Sequence, residues 1–424
     1  MNIIGVLFLI AVAYAKHEEY QGWKSYYVTP YSMDDLKFLR SLDVQYDLDF
    51  LGHPTVGGEG LVLVKPEHQE GFLKTLDNTN IVYRVHSEDV ASALRQDDED
   101  IKRRARTLSR NAVRLPYNNY QRLAEFDNYL EDVAKRYPDK ATLVTAANSF
   151  EGRPIKYIKI SSTNFADPRK KVIMIDGGIH AREWISPPIV TWAIHKLLED
   201  VTEPDLLENF DFILLPIVNP DGYEYSHTNN RWWRKTRSTG SSNLSSYCPG
   251  VDGNRNYDFA WNKVGTSPNV CADNYAGNRA FSEVETRVVR DLIQEYLNRM
   301  VMYLTMHSYG SMILYPWGHD GSLSHNALDL HAVGIAMAEA INKEALPIFP
   351  KYVVGNSVQV IGYAASGAAE DYAHSVGVPL AYTFELPGLR GGLEGFNLPA
   401  QYIEQVCRET WSGIVAGLRR ISLQ

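Results

Sequence analysis

The stretch VIMIDGGIHAREWISP, residues 172–187, joins an apolar run to a cluster of polar side chains. The run at 172–175 predicts a strand buried on both faces, because such strands are nearly continuous apolar segments. His180, Arg182 and Glu183 follow where this strand is expected to end. Open α/β sheets bind ligands beyond the carboxyl ends of their strands, so the stretch predicts a central strand with a functional site beside it.

Three further apolar runs also end in polar groups, and they span 212–217, 301–305 and 380–384. Amphipathic segments typical of helices lie at 186–198, 282–297 and 328–344. This alternation predicts an α/β fold whose mixed, largely parallel sheet is flanked by helices on both faces. The polar groups after the four runs begin at His180, Asn219, His307 and Glu385. We expect all four groups to converge on one cleft.

Residues 16–95 predict a smaller, separate α/β domain. Its strands are predicted at 23–28, 46–51, 60–64 and 81–85, and its helices at 32–42 and 67–76. Ser32 stands at the start of the first helix, and serine is a favoured N-cap residue. The order β-α-β-β-α-β is that of an open sandwich.

The N-terminal residues 1–15 have the pattern of a signal peptide. An apolar segment is followed by Ala13-Tyr14-Ala15, a small-x-small cleavage site. The segment is shorter than the roughly 20 residues that a membrane-spanning helix needs. We therefore expect a secreted, extracellular protein, and a digestive lumen is one compartment of that kind.

The composition changes again at residues 96–110, between the two predicted domains. An acidic run at 96–100 precedes a set of basic residues. The basic residues are Lys102, Arg103, Arg104, Arg106 and Arg110. The segment is either a solvated helix face or a connecting segment that a trypsin-like protease cuts. Its place between two domains of a secreted chain favours the second interpretation, with cleavage after Arg110. The large domain then spans 111–424.

The chain has three cysteines, Cys248, Cys271 and Cys407. The first two lie in a loop-like stretch rich in Ser, Gly, Asn and Pro, where a disulfide would close a loop in an oxidising compartment. Cys407 lies in an apolar helical pattern and is expected to be a buried free thiol. The alternative is three reduced thiols. Asn243 begins a weak glycosylation motif in the same loop.

The charge balance excludes two classes of partner. The formal net charge is −9, and acidic residues outnumber basic ones on both sides of residue 110. Nucleic acids and anionic membranes attract basic surfaces, so neither is expected as a partner. The basic and aromatic residues at 231–235 do not change this expectation, because the chain as a whole is acidic.

His180 and Glu183 have a spacing that lets one turn direct both side chains at a single point. Imidazole and carboxylate groups suit zinc, and a catalytic zinc site has three protein ligands with one position left open. His307, at another strand end, is the natural third ligand. The alternative is that His180 and Glu183 form a hydrogen-bonded pair that closes the loop.

Six motifs occur along the chain in a characteristic order. They are His180-x-Arg182-Glu183, Trp233-Arg-Lys-Thr-Arg237, Asp252-Gly-Asn-Arg-Asn256, His307-Ser-Tyr309, Tyr363-x-Ala-Ser-Gly367 and Thr383-Phe-Glu-Leu386. From about residue 112 onward the chain resembles zinc metallocarboxypeptidases of the pancreatic carboxypeptidase A/B type. Residues 16–110 resemble the activation segment of that family. The resemblance implies a carboxypeptidase-like fold preceded by a pro-domain.

The resemblance also implies roles at the metal. One zinc ion per chain would be bound by His180, Glu183 and His307. Asp252 would hold the ring of His180 in the tautomer that binds metal. Glu385 would be the general base that takes a proton from water and passes it to the leaving amine. The alternative for Glu385 is a carboxylate paired with a neighbouring arginine.

Further residues of the motifs would contact the substrate. Arg234 would stabilise the oxyanion. Asn254 and Arg255 would bind the free α-carboxylate, since arginine forms a bidentate fork with a carboxylate. The approach would be lined by Arg182, Ser308 and Tyr309. Tyr363 would close over the terminal residue, although a tyrosine in a loop is more often a packing residue.

Glu370 is the residue on which specificity depends. By the resemblance its position lies at the base of the pocket for the terminal side chain, where an acid suits Lys or Arg. Two features depart from the B-type pattern, which has Asp at this position and Gly where this chain has Ala368. A glutamate could also turn away and pair elsewhere, which would favour aromatic or aliphatic termini.

The sequence is thus interpreted as a secreted zinc carboxypeptidase zymogen with a preference for C-terminal Lys or Arg. The expected partners are peptide and protein C-termini, an activating trypsin-like protease and the chain's own pro-domain as inhibitor. A monomer is expected. The remaining alternative is an inactive peptide-binding module, but none of the metal, base or clamp residues has been lost.

Overall fold

The computed structural model describes residues 16–52, 54, 56–107, 115–240, 247–389 and 395–422. The predicted signal peptide at 1–15, the proposed cleavage residue Arg110 and the glycosylation candidate Asn243 lie outside these residues. Among the described residues, no helix is both long and apolar enough to cross a membrane.

The N-terminal domain has the predicted order of elements. These are β1 (Lys24–Thr29), α1 (Met33–Tyr46), β2 (Asp49–Gly52), β3 (Gly60–Val64), α2 (Gln69–Leu76) and β4 (Val82–Ser87). The four strands form an antiparallel sheet in the order β2-β3-β1-β4. Ser32 caps α1, because its side chain accepts a hydrogen bond from the backbone N–H of Asp35 at 3.0 Å. The open sandwich is therefore confirmed, and α1 ends four residues later than predicted.

Strands β1 and β3 of the small sheet are buried on both faces, each face against a different neighbour. Tyr26, Val28 and Val62 pack with the two helices α1 and α2 on one face. Tyr27, Leu61 and Leu63 pack on the other face against α3 (Val90–Thr107) and against residues of the large domain. The alternation of strand side chains places successive residues on opposite faces. The small domain thus uses one face of its sheet to dock on the large domain.

Helix α3 crosses the predicted boundary between residues 95 and 96 without a break. Its first turns are anchored by buried Val90, Ala91 and Leu94. The outer part of its charged stretch is stabilised by ion pairs three residues apart, Glu99–Lys102 and Asp100–Arg103. A solvated helix face therefore forms part of the connection, and cleavage of this segment by a protease stays a prediction. The exact bounds of the pro-domain stay a prediction.

The large domain is built on one eight-stranded sheet. Its strands are β5 (Ala141–Asn148), β6 (Pro154–Ile160), β7 (Lys171–Gly177), β8 (Phe210–Leu215), β9 (Met300–Ser308), β10 (Met312–Tyr315), β11 (Val353–Asn356) and β12 (Leu380–Leu386). They are ordered β11-β10-β12-β9-β7-β8-β6-β5. The central strands β12, β9, β7 and β8 are parallel, whereas β10–β12, β6–β8 and β5–β6 pair antiparallel. The predicted mixed, largely parallel sheet is confirmed.

Helices cover both faces of this sheet. They are α4 (Leu123–Arg136), α5 (Ser186–Leu198), α6 (Asp205–Asn209), α7 (Pro220–Thr228), α8 (Val284–Tyr296), α9 (Ala327–Glu344), α10 (Ser357–Ile361), α11 (Ala369–Val376) and α12 (Ile403–Ser422). Ile173 and Ile175 of β7 pack in the core that includes α4, α5, α9 and α12. Val172 and Met174 pack in the core formed with α8 and α11. The apolar run of β7 is continuous because both of its faces are buried.

The cysteines have the predicted states. Cys248 and Cys271 form a disulfide. Cys407 is free and buried in α12. The alternative of three reduced thiols is therefore wrong.

Candidate active site

The turn after β7 and the end of β9 bring His180, Glu183 and His307 together. His180 Nδ1 lies 2.7 Å from Glu183 Oε1, and His307 Nδ1 lies 3.1 Å from Glu183 Oε2. The two Nδ1 atoms are 3.0 Å apart. All three side chains are buried, and within the described ranges they form the one group of His, Cys, Asp or Glu residues that could hold a metal ion.

The chemistry of this group fits zinc. Two imidazole nitrogens and a carboxylate form one of the known three-ligand sets of catalytic zinc sites. Burial lowers the pKa of His307, but the Glu183 carboxylate outweighs this effect and raises the pKa to about 9. A cation between the three ligand atoms would lie next to the buried Glu183 carboxylate. The alternative of a simple loop-closing pair does not explain why His307 points at the same place.

Asp252 binds the outer nitrogen of His180. Its Oδ1 lies 3.0 Å from His180 Nε2, so a proton on Nε2 leaves Nδ1 free to bind metal. The same Oδ1 accepts the backbone N–H of Asn254 at 2.9 Å. Although burial alone would raise the pKa of Asp252, Arg234 and His180 hold it well below its usual range. The structure thus places the Asp252 carboxylate against the outer nitrogen of His180, and its role in metal binding stays a prediction.

Arg234 is held beside the metal site by the same carboxylate. Its Nε and Nη2 atoms donate to Asp252 Oδ2 at 3.0 and 2.9 Å. Its third nitrogen, Nη1, lies 3.8 Å from Glu183 Oε1. The guanidinium is thus fixed on one edge, while Nη1 faces the ligand atoms.

Glu385 lies across from His307 in the parallel pairing of β12 and β9. Burial and the nearby Glu183 carboxylate raise the pKa of Glu385 to about 8. Within the described residues Glu385 makes no ion pair with an arginine, so that alternative has no support. A carboxylate with a pKa near neutral pH suits proton transfer.

Asn254 and Arg255 lie in a short 3₁₀ helix directly after Asp252. Asn254 Oδ1 accepts the backbone N–H of Ala369 at 2.8 Å, which leaves its amide nitrogen as a donor. Arg255 donates to the carbonyl oxygens of Gly265 and Asn254, at 3.3 and 2.7 Å. Both residues are largely buried. Two adjacent residues therefore present N–H donors without a carboxylate partner in the described part of the chain.

Glu370 lies in the first turn of α11 and is only 5% exposed. Its Oε2 atom is buried and has no hydrogen-bond partner within the described residues. Its neighbour Asp371 is committed elsewhere, since it accepts the backbone N–H groups of Gly318 and His319. Burial and the Asp371 charge raise the pKa of Glu370 to about 7. Glu370 has therefore not turned outward to pair with a surface cation.

Arg182 and Tyr309 lie where the small domain docks. Arg182 Nη1 donates to Asp273 Oδ2 at 2.9 Å and lies 3.6 Å from Asp49 Oδ1 of β2. Tyr309 packs edge-on against Phe396 with ring centres 5.1 Å apart. It also lies so close to Gly52 of β2 that a side chain there would collide with its hydroxyl.

Ser308 and Tyr363 have different surroundings. The backbone N–H of Ser308 donates to Glu183 Oε2 at 3.2 Å, so this residue helps to orient a metal ligand. Arg40 of α1 lies over the ring of Tyr363 at 5.0 Å. It also donates to the neighbouring carbonyl oxygen of Gly362 at 2.7 Å. Tyr363 is therefore next to the small domain rather than in the protein core.

The expectation that the polar group beginning at Asn219 lies in the cleft is wrong. Asn219 does not reach the cleft, because its side chain caps α7 and donates to the carbonyl oxygens of Ile179 and Lys235 at 3.1 and 2.9 Å. Asp221 accepts from Ser149 at 2.6 Å, away from the metal ligands. Asn219 instead joins the loop that carries His180 to the loop that carries Arg234.

Sequence reasoning missed several residues around the site. Asp273 pairs with Arg182, and Asp49 and Arg40 reach the site from the small domain. Their contacts depend on loop and domain docking, for which the sequence offers no local signal. Thr305 was also missed, although it precedes His307 by two positions on the same strand. Period-two alternation would have placed these two side chains on one face.

Comparison with known families agrees with this geometry. A model described as "Zinc carboxypeptidase" matches residues 126–413, and one described as "Carboxypeptidase activation peptide" matches residues 26–97. Carboxypeptidase B of Helicoverpa zea is 64% identical over 422 residues, covering 99% of this chain and 98% of that protein. Zinc carboxypeptidase A 1 of Drosophila melanogaster is 35% identical over 412 residues, covering 95% and 92%.

A solved structure shares the fold across both domains. The crystal structure of carboxypeptidase A from Helicoverpa armigera matches with a TM-score of 0.90 and 42% identity. The match covers 94% of this chain and 97% of that one. The similar proteins thus include both A-named and B-named enzymes, and their names do not decide the preference of this chain.

The first prediction concerns the metal. We expect the purified full-length chain to contain one zinc ion, and His307→Ala to lose most of it because only two ligands remain. Metal analysis by mass spectrometry measures both, with His331→Ala, an exposed histidine on α9, as the matched control. Equal zinc in the two variants would contradict the proposed ligand set.

Proposed function

The chain belongs to the zinc carboxypeptidase family, and we propose that it is the secreted zymogen of an enzyme that removes Lys or Arg from the C-terminus of peptides and proteins. The buried, unpartnered Oε2 of Glu370 is the observation that carries this specificity. The zymogen character follows from the activation-peptide match. The preference, the roles of individual residues and the secreted location are our proposals.

The proposed mechanism begins with substrate binding at the chain end. The Asn254 amide nitrogen and the remaining N–H groups of Arg255 would clamp the free α-carboxylate, because their other polar atoms are already used within the protein. Only a terminal residue carries such a carboxylate. This clamp therefore explains cleavage of one residue at a time. Tyr363 would close over the bound residue.

In addition to the metal, bond cleavage would need Glu385 and Arg234. His180, Glu183 and His307 would hold the zinc, which would supply Lewis acidity for the carbonyl and the attacking water. Glu385 would accept the proton of the attacking water and return it to the leaving amine. Arg234 Nη1 would donate to the carbonyl oxygen as negative charge develops there.

Recognition of a basic terminal side chain would depend on Glu370. A Lys or Arg that entered an apolar pocket would bury an unpaired cation, which is costly. The Glu370 carboxylate converts this cost into a charge-assisted hydrogen bond. Such a bond is worth about 1.5–3 kcal/mol. Preference for aromatic or aliphatic termini is the alternative, and it would follow if Glu370 stayed neutral or faced away from the substrate.

Inhibition by the pro-domain is supported by its contacts with proposed substrate residues. Asp49 lies 3.6 Å from Arg182, and Gly52 lies against Tyr309. Arg40 contacts both the Tyr363 ring and the adjacent backbone. These contacts occupy the approach that a peptide would need. Cleavage of the connection would release the domain.

A secreted location is supported by two features of the chain. Residues 1–15 have a signal-peptide pattern. The Cys248–Cys271 disulfide is typical of proteins that fold in an oxidising compartment.

The general base gives the second prediction. Glu385→Gln retains the size of the side chain but cannot accept a proton, so turnover should fall about 10²- to 10⁴-fold while zinc stays bound. Single-substrate kinetics and zinc analysis on the activated variant measure the two quantities. Near-normal turnover would place the base elsewhere.

The third prediction concerns specificity and its pH dependence. Because burial raises the pKa of Glu370 to about 7, its anionic form, and with it the preference for Lys over Leu, should increase as pH rises through about 7. If the hydrogen bond to Glu370 contributes about 1.5–3 kcal/mol, kcat/KM for a substrate ending in Lys should exceed kcat/KM for one ending in Leu roughly 10- to 100-fold. The ratio cancels pH effects that both substrates share.

Glu370→Ile is the control for this measurement. It should prefer Leu at every pH and lose the pH dependence of the ratio, because no titrating group remains at the pocket base. An unmodified enzyme that prefers Leu or Phe above pH 8 would establish the apolar alternative.

The fourth prediction concerns activation. Lys102, Arg103 and Arg104 lie within α3, whereas Arg110 follows the helix in the sequence. Helical segments are poor protease substrates, which disfavours cleavage at the three residues within α3, so Arg110→Gln should keep the protein latent during limited trypsin treatment. Arg104→Gln is the matched control and should activate at the normal rate. Cleavage kinetics by gel and peptide hydrolysis follow the reaction, and unchanged activation of Arg110→Gln would contradict the proposed bond.

A further inference from the structure

The two histidine ligands differ in what binds their outer nitrogens. His180 Nε2 lies 3.0 Å from the Asp252 carboxylate. His307 Nε2 lies 3.2 Å from the hydroxyl oxygen of Thr305, and both of these side chains are buried. His307 therefore contacts a neutral hydroxyl where His180 contacts a carboxylate.

Thr305 belongs to a row of polar side chains on one face of the sheet. Tyr303, Thr305 and His307 alternate along β9 and so point to the same side. Asp176 of β7 lies directly opposite Thr305 in the parallel pairing of the two strands. The Tyr303 hydroxyl donates to Asp176 Oδ2 at 2.6 Å. Asp176 therefore places a carboxylate beside Thr305, whereas Asp252 places one directly on His180.

The positions of the protons determine which group in this row donates each hydrogen bond and which accepts it. A histidine that binds metal through Nδ1 carries its proton on Nε2, so His307 must donate to Thr305 Oγ1. The hydroxyl proton of Thr305 then needs another acceptor. Asp176 Oδ1 is buried and accepts no hydrogen bond within the described residues, which leaves it as the atom towards which that hydroxyl can turn.

We propose that Thr305 and Asp176 are positioning residues of the zinc site, which hold the His307 ring with Nδ1 directed at the metal. Thr305 receives the His307 proton, and Asp176 orients the Thr305 hydroxyl for this task. The pair does for His307 what Asp252 does for His180. This role concerns metal binding and is independent of the preference for Lys or Arg.

Two substitutions of Thr305 separate hydrogen bonding from packing. Thr305→Val retains the volume and removes the hydroxyl, whereas Thr305→Ser retains the hydroxyl and removes the methyl group. The affinity of the full-length chain for zinc, measured by competition with a chelator, should fall about 10- to 100-fold in Thr305→Val, as is typical when a partner of a ligating histidine is lost. Thr305→Ser should bind zinc nearly as tightly as the unmodified chain.

Asp252→Asn serves as the positive control for the assay. If that variant loses affinity while Thr305→Val does not, Thr305 is no positioning residue and the proposal is overturned. Loss of affinity in Thr305→Ser with full affinity in Thr305→Val would also overturn it, because the methyl group would then be what matters. If Thr305→Val does not fold, Thr305→Ala, which also lacks the hydroxyl, must lower the affinity, and unchanged affinity there would overturn the proposal.

Discussion

The buried carboxylate of Asp252 is the point on which the rest of the site depends. It binds the outer nitrogen of His180, two nitrogens of Arg234 and the backbone N–H of Asn254. One side chain thus orients a metal ligand, the proposed oxyanion donor and the start of the proposed carboxylate clamp. Because a buried charge is costly unless it is well paired, these groups have little freedom to move apart.

Local sequence patterns predicted the fold, and they pointed to the three residues that the structure groups as a possible metal site. The continuous apolar run of β7 indicated a strand buried on both faces, and its residues do pack in two different cores. His180 and Glu183 could be recognised because a single turn sets their geometry. Asn219 was misjudged because its role depends on carbonyl groups of two other loops. Asp273, which pairs with Arg182, likewise had no local signal.

The small domain shows how docking adds contacts that no local pattern reveals. One face of its sheet is covered by its own helices, whereas the other is buried by α3 and the large domain. This arrangement brings Asp49 and Arg40 to residues proposed to bind substrate. Strands β1 and β3 are almost completely buried for this reason. The proposed inhibition therefore uses the same surface that stabilises the docked domain.

The central proposal is that Glu370 is a cation-binding carboxylate at the base of the pocket for the terminal side chain. A crystal structure of the activated enzyme with bound lysine, the expected product, tests this claim most directly. We expect the lysine ammonium to lie within hydrogen-bond distance of Glu370 Oε2 and the α-carboxylate to be bound by Asn254 and Arg255. A lysine bound by the same clamp but with its ammonium directed at solvent, away from Glu370, would contradict it.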